Sequence, residues 1–184
     1  MKKTSKLLTI GLLVVFLFCH VGHANAESDL VVGGGSAQAR LDFAIQIPTI
    51  LLLQVGTIGA AVDTITFNVG DLPGTGPVVG TSSGANPVPV RAAGFVGASS
   101  TMTLTADSSS ALSDGTTNIP FAEISWTATG NFSGGAFDNS AAQQLDQFSG
   151  PGNRTGTYAF SYDNDTYYPA STYTGTVTYT LSAP

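Results

Sequence analysis

The chain has 184 residues, six basic and twelve acidic, and 42% hydrophobic residues. Lys2, Lys3 and Lys6, the apolar run 7–18 and the small-x-small stretch Ala24-Asn25-Ala26 have the form of a secretory signal, so residues 1–26 are read as removed and Glu27 as the mature start. Residues 27–184 then carry three basic residues (Arg40, Arg91, Arg154) against twelve acidic ones, a net −9, with no Lys, His or Cys.

That inventory excludes much chemistry. Three scattered Arg cannot neutralise a phosphate backbone, so no nucleic-acid partner is expected. Without His or Cys there is no zinc or copper site of the usual kind, and no Ser-His-Asp or Cys-His nucleophile. Without Lys there is no Schiff base. The apolar run in the signal is too short for a membrane span, and none is expected in the mature chain.

In chain order, ESDLVVGGGSAQA (27–39) is a glycine-rich leader. Leu41, Phe43, Ile45 and Ile47 alternate with Asp42, Ala44 and Gln46, which predicts a half-buried strand. After Pro48 comes a second apolar run, 50–55. Pro-Thr does not form the favoured two-residue hairpin turns, so the first strand is not expected to fold back on the second. Further strands are predicted around 62–69, 88–96, 101–106, 119–128, 158–162 and 173–181. Pro89 places 88–96 at an edge or bulge. SAAQQLDQF (140–148) reads as a short helix within a long, outward-facing loop, 129–155. About eight strands separated by DLPGTGP, SSGANP, SSSALSDGTTN and DNDTYYPAS predict an all-β protein, a sandwich of immunoglobulin type or, as the less favoured alternative, a barrel.

Several motifs carry no chemistry. Leu72-Pro73-Gly74-Thr75-Gly76 matches a sortase pattern but lies mid-chain, and it reads as a turn. Asp163-Asn164-Asp165 begins like a calcium loop, but Tyr168 and Thr174 stand where Gly and Glu are needed. No carboxylate pair is marked by a local motif, and the chain is not expected to be an enzyme; hydrolase activity is the weakest reading. No cofactor or metal is implied. All six Tyr (158, 162, 167, 168, 173, 179) fall in the last 27 residues. Most suit strand packing; Tyr167 and Tyr168, beside Pro169, are the candidates for ligand contact.

A strand needs a neighbour, and one that cannot fold back can complete another copy. LDFAIQIPTILLLQVG (41–56), with Leu52-Leu53-Gln54, and Tyr173-Thr174-Gly175-Thr176-Val177 near the other end resemble the subunits of chaperone–usher fimbriae. The similarity is greatest to the disulfide-free colonisation-factor pilins of the alternate class. It covers both ends of the chain, and the middle (57–155) only in general character.

The resemblance implies an immunoglobulin-like sandwich lacking its final strand, with residues 49–184 as the pilin domain and 27–48 as leader and donor strand. Leu41, Phe43, Ile45 and Ile47 would fill the groove of the next subunit. Ile50, Leu52, Val177, Tyr179 and Leu181 would line the groove edge. The implied partners are other copies of itself or related pilins, a periplasmic chaperone and an outer-membrane usher. The implied location is a cell-surface fimbria, reached through the periplasm, where the chain serves adhesion or biofilm formation. The competing expectation is a self-complete secreted β-sandwich that binds carbohydrate or another surface ligand.

Overall fold

A computed structural model describes residues 28–59 and 61–184; the signal segment 1–26 lies outside the described residues. The chain divides into two units, 1–46 and 47–184. In the first, the Asp29 carboxylate accepts the Gln38 N–H at 3.3 Å, closing a loop around Gly33–Gly35, and no strand is formed among the described residues. Leu41, Phe43 and Ile45 stand 76, 86 and 89% exposed.

The second unit is all-β. Its strands are β1 (Ile50–Val55), β2 (Ile65–Thr66), β3 (Val78–Val79), β4 (Thr81–Ser82), β5 (Val88–Phe95), β6 (Thr101–Asp107), β7 (Leu112–Ser113), β8 (Asn118–Ile119), β9 (Ile124–Ala128), β10 (Gly135–Ala136), β11 (Gln143–Ser149), β12 (Gly152–Tyr162) and β13 (Thr178–Ser182). One antiparallel sheet runs β1-β5-β12-β9-β10, with β3 beside the end of β12. A second runs β11-β6-β13. β2–β4 and β7–β8 form two small pairs.

Period-two alternation builds the core. Met102, Leu104 and Ala106 on β6 are fully buried, while the threonines between them face outward. Val88, Val90 and Ala92 on β5 and Tyr158, Phe160 and Tyr162 on β12 meet them in a single cluster. Burying one face of each sheet against the other removes both apolar faces from water. Trp126 sits among these rings, 4.9 Å from Phe137 and 5.8 Å from Tyr158 between centroids. Its indole N–H donates to the Ser133 carbonyl at 2.9 Å, so its polar atom is satisfied inside the core. Where β9 leaves this cluster, only Gly fits at 130: φ is +71°, and a Cβ would clash with the Thr155 carbonyl oxygen.

Several expectations are corrected. Residues 140–148 are not helical: β11 pairs with β6 from Gln143 to Ser149 with a bulge at Leu145, and Phe148 is buried. Pairing with a buried strand overrides the helix propensity of Ala, Gln and Leu. The segment 129–155 is consequently no loop, since it holds β10, β11 and the start of β12. β5 is central, between β1 and β12, despite Pro89. The Pro89 carbonyl accepts the Gly56 N–H at 2.8 Å, so the missing proline donor points to the same side, past the end of β1. The predicted strand 62–69 shrinks to Ile65–Thr66. The predicted strand 119–128 is interrupted by Pro120, which starts a 3-10 turn, Phe121–Glu123, before β9. The last strand is shorter than 173–181. Thr174 exchanges backbone hydrogen bonds with Ser113 at 2.9 and 3.0 Å, drawing 173–177 toward the β7–β8 pair. Residues 41–47 adopt no strand here.

Candidate functional site

The two sheets meet at two seams, and the seams differ. At one, side chains bridge the edges of β10 and β11. The Asp146 carboxylate accepts the Ser133 N–H at 3.1 Å. The Gln143 amide donates to the Ala136 carbonyl at 2.8 Å and accepts the Asp138 N–H at 3.2 Å. At the other seam lie β1 and β13. β1 bonds only to β5, and β13 only to β6, among the described residues. Their Cα atoms approach within 8 Å, yet no ladder joins them. Each presents a free row of backbone donors and acceptors, the feature that makes an edge strand a template for pairing.

The side chains flanking this seam are apolar and alternate on both sides. On β1, Leu51 faces inward: a Cβ on its partner Gly94 would touch both Leu51 Cδ2 and Met102 Sδ. Leu53 and Val55 continue this face and pack on the core. On the other side, Val177 precedes β13, and Tyr179 and Leu181 lie on it; all three are half-buried against the core. Burial pushes the Tyr179 phenol up from its ordinary value. A strand laid in the seam with alternating apolar side chains would meet an alternating apolar wall on either hand.

Ile50 and Leu52 are on β1 but face away from the core. They share the outer face with Phe95, the direct cross-strand partner of Ile50. The core-facing side of β1 is therefore Leu51, Leu53 and Val55. Which phase of ILLL points inward cannot be read from an unbroken apolar run.

At the C-terminal end of β1 an open pocket of about 490 Å³ is lined by Leu53, Val55, Ile65, Val88 and Phe160, with Thr57 and Asp63 at its rim. Asp63 holds the rim by accepting the Thr57 N–H at 2.6 Å. Nothing in the sequence marked this pocket, because its walls come from four separate strands.

The two tyrosine candidates do not form a platform. Tyr167 is exposed. Tyr168 is half-buried: its hydroxyl donates to Glu123 Oε1 at 2.5 Å, and its ring meets Tyr173 edge-on at 6.3 Å. Burial, followed by the Glu123 hydrogen bond, pushes its phenol up to about 12. The 163–165 stretch is a packed turn. Asn164 is buried and its amide donates to the Asp71 and Leu72 carbonyls at 3.3 Å. Burial and the neighbouring Asp165 raise the Asp163 carboxyl. Among the described residues no three His, Cys, Asp or Glu side chains come together as a metal site, and no helix is long and apolar enough to cross a membrane.

Compared with family models, curated proteins and solved structures, the chain matches none.

Proposed function

We propose that the chain is the structural subunit of a surface fimbria and polymerises by strand donation. Residues 41–47 of one copy enter the β1–β13 seam of the next, completing an immunoglobulin-like sandwich that each subunit lacks alone. The observation that carries this reading is a pairing of opposites. An apolar seam that no ladder closes runs between β1 and β13, and the chain's own alternating segment, ending at Ile47, is exposed and precedes β1 in sequence.

The geometry and energetics agree. Seven extended residues span about 23 Å, enough to run the length of β1. Only Pro48 and Thr49 separate Ile47 from Ile50. A tight hairpin there needs positive φ, which proline cannot adopt, so the segment cannot pair with its own β1. Burying the four apolar side chains contributes about 6–12 kcal/mol. Ordering seven backbone residues costs about 7–14 kcal/mol. The two terms nearly cancel, and the balance rests on hydrogen bonds to the two free edges, about 0.5–1.5 kcal/mol each; a strand bonded to both needs them about 9.6 Å apart, so β1 and β13 part to admit it. A subunit exposing such a seam needs protection before assembly. This is the role proposed for a periplasmic chaperone, with an outer-membrane usher as the site of exchange and the cell surface as destination.

The test is Ile45→Asp. The wild-type mature chain should polymerise, and the variant should remain a soluble monomer, because a carboxylate cannot be buried unpaired in an apolar groove. Fibres formed equally by the variant would overturn the donor assignment. A self-complete domain that binds glycans through Tyr167 would then become the reading to pursue.

A further inference from the structure

Strand donation, on which this inference rests, fixes where one subunit meets the next. From Ile47 to Ile50 the chain crosses Pro48 and Thr49 and reaches at most about 10.5 Å. A copy whose strand is seated in a neighbour's seam therefore holds the start of its own β1 against that neighbour. Pro48 stiffens the connection, because its φ is fixed and Ile47 is kept extended.

That end of the domain carries uncovered apolar surface. Ile50 is 50% exposed, its cross-strand partner Phe95 is 57% exposed, and Leu52, next on the same face, is 44% exposed. Partners directly opposite on a sheet stand about 4.5–5.5 Å apart, so the three form a continuous patch. No donor strand covers it. A strand received along the β1 edge turns its apolar side chains inward and leaves Asp42, Ala44 and Gln46 outward. The outer face of Ile50, Leu52 and Phe95 stays bare, and contiguous exposed patches of this kind mark interaction surfaces.

We infer that Ile50, Leu52 and Phe95 make a second, body-to-body contact with the copy that accepts this subunit's strand. The contact fixes the angle between successive subunits, so it governs fibre stiffness and leaves strand exchange itself to the seam. The occupant is a second copy because the two-residue connection holds that copy at this corner.

Residues 27–184 contain no Cys, so Phe95→Cys introduces a unique thiol. Its maleimide labelling rate is compared between polymers and the monomer that also carries Ile45→Asp. Thr127→Cys, exposed on β9, serves as the reference. The expected result is at least a tenfold slower reaction at position 95 in polymers, with position 127 unchanged. Equal rates at position 95 in monomer and polymer would overturn the contact while leaving strand donation standing. A wild-type chain that forms no polymer would overturn both. A second variant, Phe95→Asp, should still polymerise but give fibres of shorter persistence length by electron microscopy; unchanged stiffness would also overturn the inference.

Discussion

Phe43 offers a quantitative test because its two states differ so much. In the isolated chain it is 86% exposed and lies in no strand. Truncation to Ala should therefore leave monomer stability unchanged, within the ±0.5 kcal/mol typical of surface positions. In the proposed polymer the same ring would be buried in the seam. Its loss there should cost about 2–3 kcal/mol, the upper part of the range for one large apolar side chain. At 1.4 kcal/mol per tenfold, that weakens the subunit junction about 30- to 150-fold. Interface substitutions act mostly on dissociation. The assay is thus the rate at which labelled subunits leave preformed fibres in the presence of excess unlabelled competitor. Release should be about 30- to 150-fold faster for Phe43→Ala, with superimposable thermal melts for the two monomers. A monomer melting temperature lowered by several degrees would refute the reasoning, because it would place Phe43 in the core of its own domain. Equal release rates would refute it from the other side.

The remaining expectations concern the domain itself. Trp126→Ala removes the ring that joins Phe137, Tyr158 and Phe160; it should cost about 3–5 kcal/mol by chemical denaturation. The Tyr158 hydroxyl is buried without a protein partner, and burial raises its pKa. Tyr158→Phe should therefore be neutral or stabilising by about 1 kcal/mol, since no hydrogen bond is lost. Stability should fall at both pH extremes. Hydrogen bonds from Ser109, Thr117 and Ser140 hold Asp107, Asp114 and Asp138 below the ordinary 3.8. Depressed carboxyls stabilise the fold above that value, and the contribution is lost as pH falls below it. Asp163, raised mainly by burial, works in the opposite direction and softens the acid limb. Burial holds the Tyr162 and Tyr168 phenols at about 12 against the ordinary 10.0. Their contribution is complete below pH 10 and lost as pH rises through 12. Thermal melts across pH 2–12 read both limbs.

Much of the fold was legible where a single rule governed. Met102-x-Leu104-x-Ala106 and Tyr158-x-Phe160-x-Tyr162 alternate, and both lie inward as alternation requires. The rest depended on partners that no local pattern reveals. Pro89 argued for an edge, yet β5 is central because its missing donor falls beyond the end of β1. SAAQQLDQF has helix-forming residues, yet β6 captures it as a strand. A groove between the first and last strands was expected only from the resemblance at the two ends of the chain; the structure shows that no ladder joins β1 to β13. The core-facing residues of β1 were not legible, because Ile50 through Leu53 are apolar on both faces. Phe95 escaped notice because it is a lone aromatic at the end of a strand, and it gains meaning only from the Ile50 opposite it.

The central claim is that the β1–β13 seam is completed by residues 41–47 of another copy. The most direct measurement adds a synthetic 39–48 peptide to the mature Ile45→Asp chain, which cannot donate, and follows its melting temperature. A rise that grows with peptide concentration is expected, because a ligand bound only by the folded state stabilises it by mass action. The Ile45→Asp version of the peptide should leave the transition where it was. A chain already stable, and indifferent to both peptides, would contradict the account and show a domain complete without a donated strand.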